Sequence, residues 1–132
     1  MSAAEAVIEG RRAAESLMID VCRITRRTGE LVTDPNSGDV TNSAEIVYEG
    51  KCKVQSKDSA TSNPEAGGAV FTVVSRQVHI PANAALVRDG DIVEITASAL
   101  NSFTVGKQYR VEGFTPDTFD TAFRLPVKEV LA

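Results

Sequence analysis

Residues capable of nucleophilic or metal chemistry are few in this sequence and far apart. The 132-residue chain has one histidine, His79, two cysteines, Cys22 and Cys52, and no tryptophan. Transition metals are held by several His or Cys ligands at short spacing, so counting excludes a multi-histidine metal site, a zinc finger and a disulfide-dense scaffold. We expect no metal and no cofactor, and we expect both cysteines to be buried thiols.

The single histidine lies in an apolar segment, between Val78 and Ile80. Paired with Ser75 or with an aspartate, His79 could activate a nucleophile, which defines a hydrolase alternative. The simpler interpretation is a half-buried or interface side chain. Gly67-Gly68 lacks the lysine and the following helix of a phosphate-binding loop. We therefore predict no catalytic residues and a protein that is not an enzyme.

A calcium site is the second chemistry to weigh, at Asp34, Asn36 and Asp39. An EF-hand loop needs oxygen ligands at alternate positions between two helices, whereas the third residue here is out of step and no helix pair flanks it. These residues are typical of a turn. Asp89 and Asp91 also belong to a turn, Arg88-Asp89-Gly90-Asp91, and need no acid–base role.

The charge balance of the chain bears on its partners. The formal net charge is −4, and 42% apolar with 24% charged residues is a globular composition. A protein that grips DNA phosphates needs a surplus of cations, so that function is excluded as the default. Positive charge clusters only in the first 27 residues. This cluster is either a solvated face or a candidate interface with a neighbouring subunit, an acidic partner or the DNA backbone. The candidate interface residues of this segment are Val7, Ile8, Arg11, Arg12, Arg26 and Arg27.

The N-terminal segment is predicted to be a helix over 3–16. Ser2 and Glu5 fit a capping box, while Gly10 weakens the middle of an alanine-rich run. Because the apolar stripe is thin, we expect the helix to pack on another protein rather than on its own sheet. No apolar run has the length of a signal peptide core or a membrane span, so the protein is expected to be cytoplasmic when made, without membrane contact.

Beyond residue 17, β-branched residues and alternating apolar positions favour strands. Pro126 predicts an edge or a bulge in the last strand. The chain is thus predicted to be one mainly β domain over 1–132: an N-terminal helix (1–17) and a small six-stranded β-barrel (18–132) with long polar loops. The predicted strands cover 17–25, 44–55, 70–80, 91–98, 108–114 and 121–130.

Two polar segments are predicted to be loops, 26–43 and 56–68, and the middle of the first is a turn that could be the tip of a hairpin. Long loops in small domains are usually functional. We expect the second loop to contact a partner, and the first is the alternative for the same role. The candidate residues are Ser56, Lys57, Asp58, Ser59, Asn63 and Glu65 in the second loop, and Asp34, Asn36 and Asp39 in the first.

Several segments, taken in order, resemble a family of small head–tail connector proteins of long-tailed actinobacteriophages, the head-to-tail stoppers. The two most specific are the Y-E-G-K-C-x-V-Q string beginning at Tyr48 and the R-L-P-V-x-E-V string beginning at Arg124. The resemblance extends from about residue 11 to the end. The other matching segments are Val78-His79-Ile80-Pro81, Arg88-Asp89-Gly90-Asp91-Ile92-Val93 and Tyr109-Arg110-Val111-Glu112-Gly113.

The resemblance implies a structural virion protein, made in the cytoplasm of the host bacterium and located in the virion neck. Its subunits would form a homo-oligomeric ring, expected to be a hexamer, below the portal and adaptor and above the tail terminator or tail tube. Such a ring closes the DNA channel after packaging and touches DNA without reading its sequence. The family has no catalytic or cofactor residues to carry over.

Three alternatives stay open. The chain could be another neck component, either the adaptor or the tail terminator, and an α-rich structure would favour the adaptor. It could be an intracellular ligand-binding β-barrel, which needs an apolar cavity. It could also be the hydrolase that uses His79.

Overall fold

A computed structural model describes residues 2–62 and 70–131 of the chain. The elements in this part of the chain are one α-helix, six β-strands and a 3₁₀ turn at Ser102–Thr104. Their bounds are α1 Ala3–Ser16, β1 Asp20–Thr33, β2 Val40–Ser62, β3 Val70–Pro81, β4 Ile92–Ser98, β5 Gln108–Val111 and β6 Ala122–Glu129.

The N-terminal helix forms where the sequence predicts it. The hydroxyl of Ser2 accepts a bond from the Glu5 amide at 3.2 Å, and the Glu5 carboxylate accepts one from the Ser2 amide at 3.0 Å. The capping box is therefore confirmed, because two amides at the helix start are satisfied reciprocally. Within the described residues, no helix has the length and hydrophobicity needed to cross a bilayer.

The six strands form one antiparallel sheet that closes on itself. The strand order is β1-β2-β3-β6-β5-β4, and β4 pairs back onto β1, so the pairing runs in a ring. The predicted mainly β class, the six strands and the leading helix are confirmed at this level. We call this closed arrangement the sheet ring.

The interior of the sheet ring is filled by the apolar side chains that alternate along each strand. Cys22 and Cys52 lie on the neighbouring strands β1 and β2, and both are buried free thiols, as predicted. The hydrophobic effect of this one shared core holds all six strands together. The fully buried members are Cys22, Ile24, Cys52, Val78, Ile80, Val93, Ile95, Tyr109, Val111 and Leu125.

β2 is far longer than predicted because it has two partners in succession. Its first part, Val40–Cys52, pairs with β1, and its second part, Lys53–Ser62, pairs with β3. β4 stops pairing with β1 at Thr25, and β6 stops pairing with β3 at Arg76. Beyond those two points the chain continues as two-stranded ribbons that leave the sheet ring from opposite ends of β2.

We call the ribbon of residues 26–45 the first arm. The second arm is Lys57–Ser62 paired with Val70–Ser75. The prediction of loops over 26–43 and 56–68 is therefore wrong where β1 extends to Thr33 and β2 extends to Ser62. Residues 26–33 pair with residues 40–45, and residues 56–62 pair with residues 70–76 of β3, so backbone pairing makes strands of polar segments that apolar alternation does not mark. The rest of the second predicted loop, 63–68, lies outside the described residues.

Pro126 lies inside the sheet ring rather than at an edge or a bulge. It is opposite Gln77 of β3, and its carbonyl accepts the Glu112 amide at 2.8 Å, just past the end of β5. The donor that proline lacks would thus point toward the place where the β5 ladder ends. The expectation of an edge or a bulge is corrected, because the strand pairs with β3 at Pro126. The missing proline donor removes only one hydrogen bond, at the end of the ladder with β5.

Candidate interaction surfaces

The tip of the first arm is a tight polar turn. The Asp34 carboxylate accepts a bond from the Asn36 amide at 2.8 Å, and the Asp34 amide donates to the Asp39 carbonyl at 2.8 Å. Hydrogen bonds from the backbone near Asn36 lower the pKa of Asp34. Gly38 has φ +75°, a left-handed conformation that glycine adopts without strain. The turn interpretation of Asp34, Asn36 and Asp39 is confirmed.

Apolar side chains along the first arm face solvent. Leu31 is 70% exposed, and Val32 and Val40 are also exposed. Between Arg27 and Leu31 the register with β2 shifts, and Gly29 has φ +82° there. Among the described residues, the arm strands pair only with each other, so both outer edges offer free backbone groups.

Arg26, a predicted interface residue, anchors the base of the first arm to its own sheet ring. Its Nε and Nη2 atoms each donate to the Asp91 carboxylate at 2.9 Å, and Nη2 also donates to the Leu86 carbonyl at 3.0 Å. The Asp91 side chain is 2% exposed and also accepts the Arg88 amide at 2.9 Å. The hydrogen bond to Asp91 is the main cause that raises the pKa of Arg26. The two-bond geometry makes this a strong charge-assisted contact.

Asp89, in the same turn, has a structural role. Its carboxylate accepts the Gly113 amide at 2.8 Å and the Phe114 amide at 3.3 Å. Gly90 has φ +92°, and its amide donates to the Val111 carbonyl at 2.8 Å. The predicted turn Arg88-Asp89-Gly90-Asp91 thus links the base of the first arm to the end of β5.

Four of the six candidate residues of the second loop lie in the described part of the structure. Ser56, Lys57, Asp58 and Ser59 lie in β2, opposite residues 73–76 of β3, so they belong to a strand and not to a loop. Asn63 and Glu65 lie outside the described residues.

The helix lies on its own sheet ring, which corrects the expectation that it packs elsewhere. α1 contacts β3 and β6, and the Arg11 Nε atom donates to the Asp120 carbonyl at 3.1 Å. A Cβ atom built on Gly10 would lie 2.6 Å from the Thr121 methyl group, so glycine allows this close approach. Glu15 binds Lys51 of β2 at 3.0 Å.

The other candidate interface residues divide by helix face. Val7 and Arg11 lie on the half-buried face toward the sheet ring, whereas Ile8 and Arg12 face solvent. Arg27, at the base of the first arm, is exposed. Ile8, Arg12 and Arg27 therefore stay available to a partner.

His79 is 7% exposed. It lies on the outer face of β3, where α1 packs, directly opposite Lys53 of β2 and Arg124 of β6. Burial and these two cations lower its pKa from 6.5 to about 4. Its Nε2 atom is 3.2 Å from the Gln77 Oε1 atom, whereas the Ser75 hydroxyl donates to the Lys57 carbonyl at 3.0 Å. The proposed Ser75–His79 pair therefore does not form.

The described residues contain no group of three His, Cys, Asp or Glu side chains placed to hold a metal. A shallow, open depression of about 440 Å³ lies beside β6, and its lining includes Arg76, Glu112 and Lys128. Its openness and charged walls differ from the enclosed apolar cavity expected of a ligand-binding barrel.

The fold and these surfaces define a small mainly β protein whose exposed features are arms and charged faces. Residues 10–128 match the model of a family of unknown function, DUF6093, and the chain belongs to this family. No curated protein and no solved structure matches the chain.

Proposed function

We propose that this chain is the subunit of a head-to-tail stopper ring in the neck of a long-tailed actinobacteriophage. In this proposal the sheet ring is a small β-barrel, and its copies assemble into a ring, expected to be a hexamer, between the portal and adaptor and the tail. The ring closes the DNA channel after packaging. The observation that carries the proposal is the pair of arms leaving opposite ends of β2, with no strand partner beyond each other among the described residues.

Such arms favour an assembly part over a protein that works alone. An isolated two-stranded ribbon is marginally stable in water, and exposed strand edges promote pairing with other chains. The first arm adds exposed Leu31, Val32 and Val40 to its free edges. Both features would be covered in a ring, where each subunit presents two different surfaces to its neighbours.

A structural role agrees with the state of the reactive groups. His79 is buried between two cations, Ser75 is bonded to a backbone carbonyl, and both thiols lie in the core. We therefore propose that the chain is not an enzyme and uses no cofactor. The filled interior of the sheet ring gives no support to a ligand-binding role.

Among neck components, the mainly β structure supports a stopper over an adaptor, for which an α-rich structure is expected. A tail terminator is the remaining neck alternative. The net charge of −4 supports a channel through which DNA passes without being gripped, because an acidic lining repels phosphates.

Depletion of this protein during phage infection tests the proposal. With a nonsense allele, we expect DNA-filled heads that lack tails or leak DNA, together with free tails, in electron micrographs of the lysate. Particles that join tails normally would contradict the proposal. Heads that retain DNA beside tails of uncontrolled length would instead indicate the tail terminator.

Shortening the second arm gives a finer test. Deletion of residues 58–66 removes the β2 strand of the distal arm, so that residues 70–74 lose their strand partner, and it leaves every strand pair of the sheet ring in place. We expect the variant to fold, as judged by circular dichroism, and to yield particles that leak DNA or fail to join tails. Normal infectious yield would contradict a role for this arm.

A further inference from the structure

Charge is strongly segregated on this chain, although the total is only −4. The first arm contains four carboxylates and no cation from residue 28 to residue 45. Three neighbouring strand segments, 53–57, 75–81 and 122–128, contain five Lys or Arg residues and no carboxylate. β2, β3 and β6 are adjacent in the sheet, and the positions that alternate with their core residues place Lys53, Lys57, Arg124 and Lys128 on one outer surface beside α1, which we call the basic face.

The centre of the basic face is a row of like charge. Lys53, His79 and Arg124 are directly opposite one another on β2, β3 and β6. Neighbouring strands are about 4.8 Å apart, so the backbones that carry the two cations are separated by only about 10 Å. Neither Lys53 nor Arg124 makes an ion pair with any described residue. An anion placed over this row would therefore be attracted by both cations.

We propose that the basic face binds the first arm of a neighbouring copy of this chain. This inference rests on the proposed ring, and it names the contact that would build that ring. The first arm supplies the carboxylates that the basic face lacks. Glu30 and Asp39 are both exposed and make no ion pair in the described structure. The arm also carries the exposed apolar side chain Leu31.

A chain cannot satisfy its own basic face with its own first arm. The arm joins the sheet ring at Arg26 and Glu45, where β2 pairs with β1. The face uses the other half of β2, which pairs with β3. The contact is therefore between two different surfaces on successive copies, the head-to-tail arrangement that closes into rings.

DNA is the other polyanion that a basic face could bind, and the charge balance disfavours it. The chain as a whole is acidic, so its overall field repels the phosphates of DNA. The carboxylates of the first arm, by contrast, are already part of each subunit and need no second polyanion to be recruited. The arm also offers apolar contacts that a phosphate backbone does not have.

Reversing charge on each side of the contact tests the inference with the full-length protein. The face variant is K53E/R124E, and the arm variant is E30K/D39K, which leaves the turn residue Asp34 intact. We expect each variant alone to assemble with a dissociation constant raised by about tenfold or more, measured by sedimentation velocity. Wild-type assembly should also weaken at high salt.

An equimolar mixture of the two variants gives the decisive result. The reversed face of one variant matches the reversed arm of the other, and the remaining face and arm match as well. The mixture should therefore assemble at concentrations at which neither variant assembles alone. The control R88E reverses an exposed cation outside the face and should assemble like the wild type. Circular dichroism of each variant verifies folding.

Three outcomes would overturn the inference: a wild type that stays monomeric, variants that assemble normally, or a mixture that does not recover. Binding of duplex DNA lost only in K53E/R124E, without any effect on assembly, would overturn it in favour of DNA. None of these results decides whether the protein lies in the virion neck, so failure of the inference is distinct from failure of the proposed function.

Discussion

Removal of the Arg26 guanidinium should destabilise the fold far more than removal of any exposed cation. The change Arg26→Met keeps the aliphatic length and deletes three hydrogen bonds, two to Asp91 and one to the Leu86 carbonyl. The Asp91 carboxylate then stays buried, at 2% exposure, with the Arg88 amide as its remaining donor among the described residues.

The magnitude follows from the burial of the pair. Loss of one partner of a buried ion pair costs about 3–5 kcal/mol, because the other charge is left uncompensated. The Arg26 side chain is 23% exposed, and water entering there offsets part of this penalty, so we expect about 3 kcal/mol. Asp91→Asn keeps an acceptor for the Arg88 amide and should cost about 2 kcal/mol. The double variant leaves no buried charge and should cost about 3 kcal/mol, which gives a coupling energy of about 2 kcal/mol.

The matched control is the pair Arg23–Glu49, also anchored on β1, with a 3.0 Å contact but side chains 44% and 49% exposed. Its coupling should be at most about 1 kcal/mol. Both double-mutant cycles are measured by urea unfolding at pH 7, followed by circular dichroism. A coupling for Arg26–Asp91 no larger than that for Arg23–Glu49 would refute the reasoning.

Three further predictions test other contacts. Gly10→Ala should destabilise the protein although alanine has the better helix propensity, because the new Cβ atom would lie 2.6 Å from the Thr121 methyl group. Thr121→Ser in the same chain removes that methyl group and should restore stability. Thermal melts that show Gly10→Ala alone to be stabilising would contradict the placement of the helix. The pKa of His79 is about 4 in the folded protein against 6.5 for a free histidine, so between these pH values the unfolded state binds more protons. The free energy of unfolding should therefore fall by up to about 3 kcal/mol as the pH decreases from 6.5 to 4. His79→Gln should remove this component, and identical pH profiles of unfolding for the two proteins would refute the prediction. Tyr109→Phe should leave stability unchanged or raise it by about 1 kcal/mol in urea unfolding, because the buried Tyr109 hydroxyl has no hydrogen-bond partner among the described residues; a clear loss would show that this hydroxyl is bonded.

The helix and the six strands were predictable because their signals are local. Ser2 and Glu5 mark the helix start within four residues, and apolar alternation marks the strands that line the core. The arms were not predictable in this way. Residues 56–62 are polar on both faces, and only their pairing with residues 70–76 of β3 makes them a strand.

The candidate site was predictable only in part, for a similar reason. Arg26 lies among other cations in the sequence, whereas its partner Asp91 lies 65 positions further along the chain. The local sequence shows only a D-G-D turn, and nothing in it marks Asp91 as the carboxylate that is buried. The basic face likewise appears only when β2, β3 and β6 are placed side by side.

Cryo-electron microscopy of the intact neck of the phage tests the central claim most directly. The account predicts a ring of copies of this chain between the portal and adaptor and the tail, with sheet rings side by side and arms reaching neighbouring subunits. Its absence from the virion, or a position anywhere other than this junction, would contradict the account.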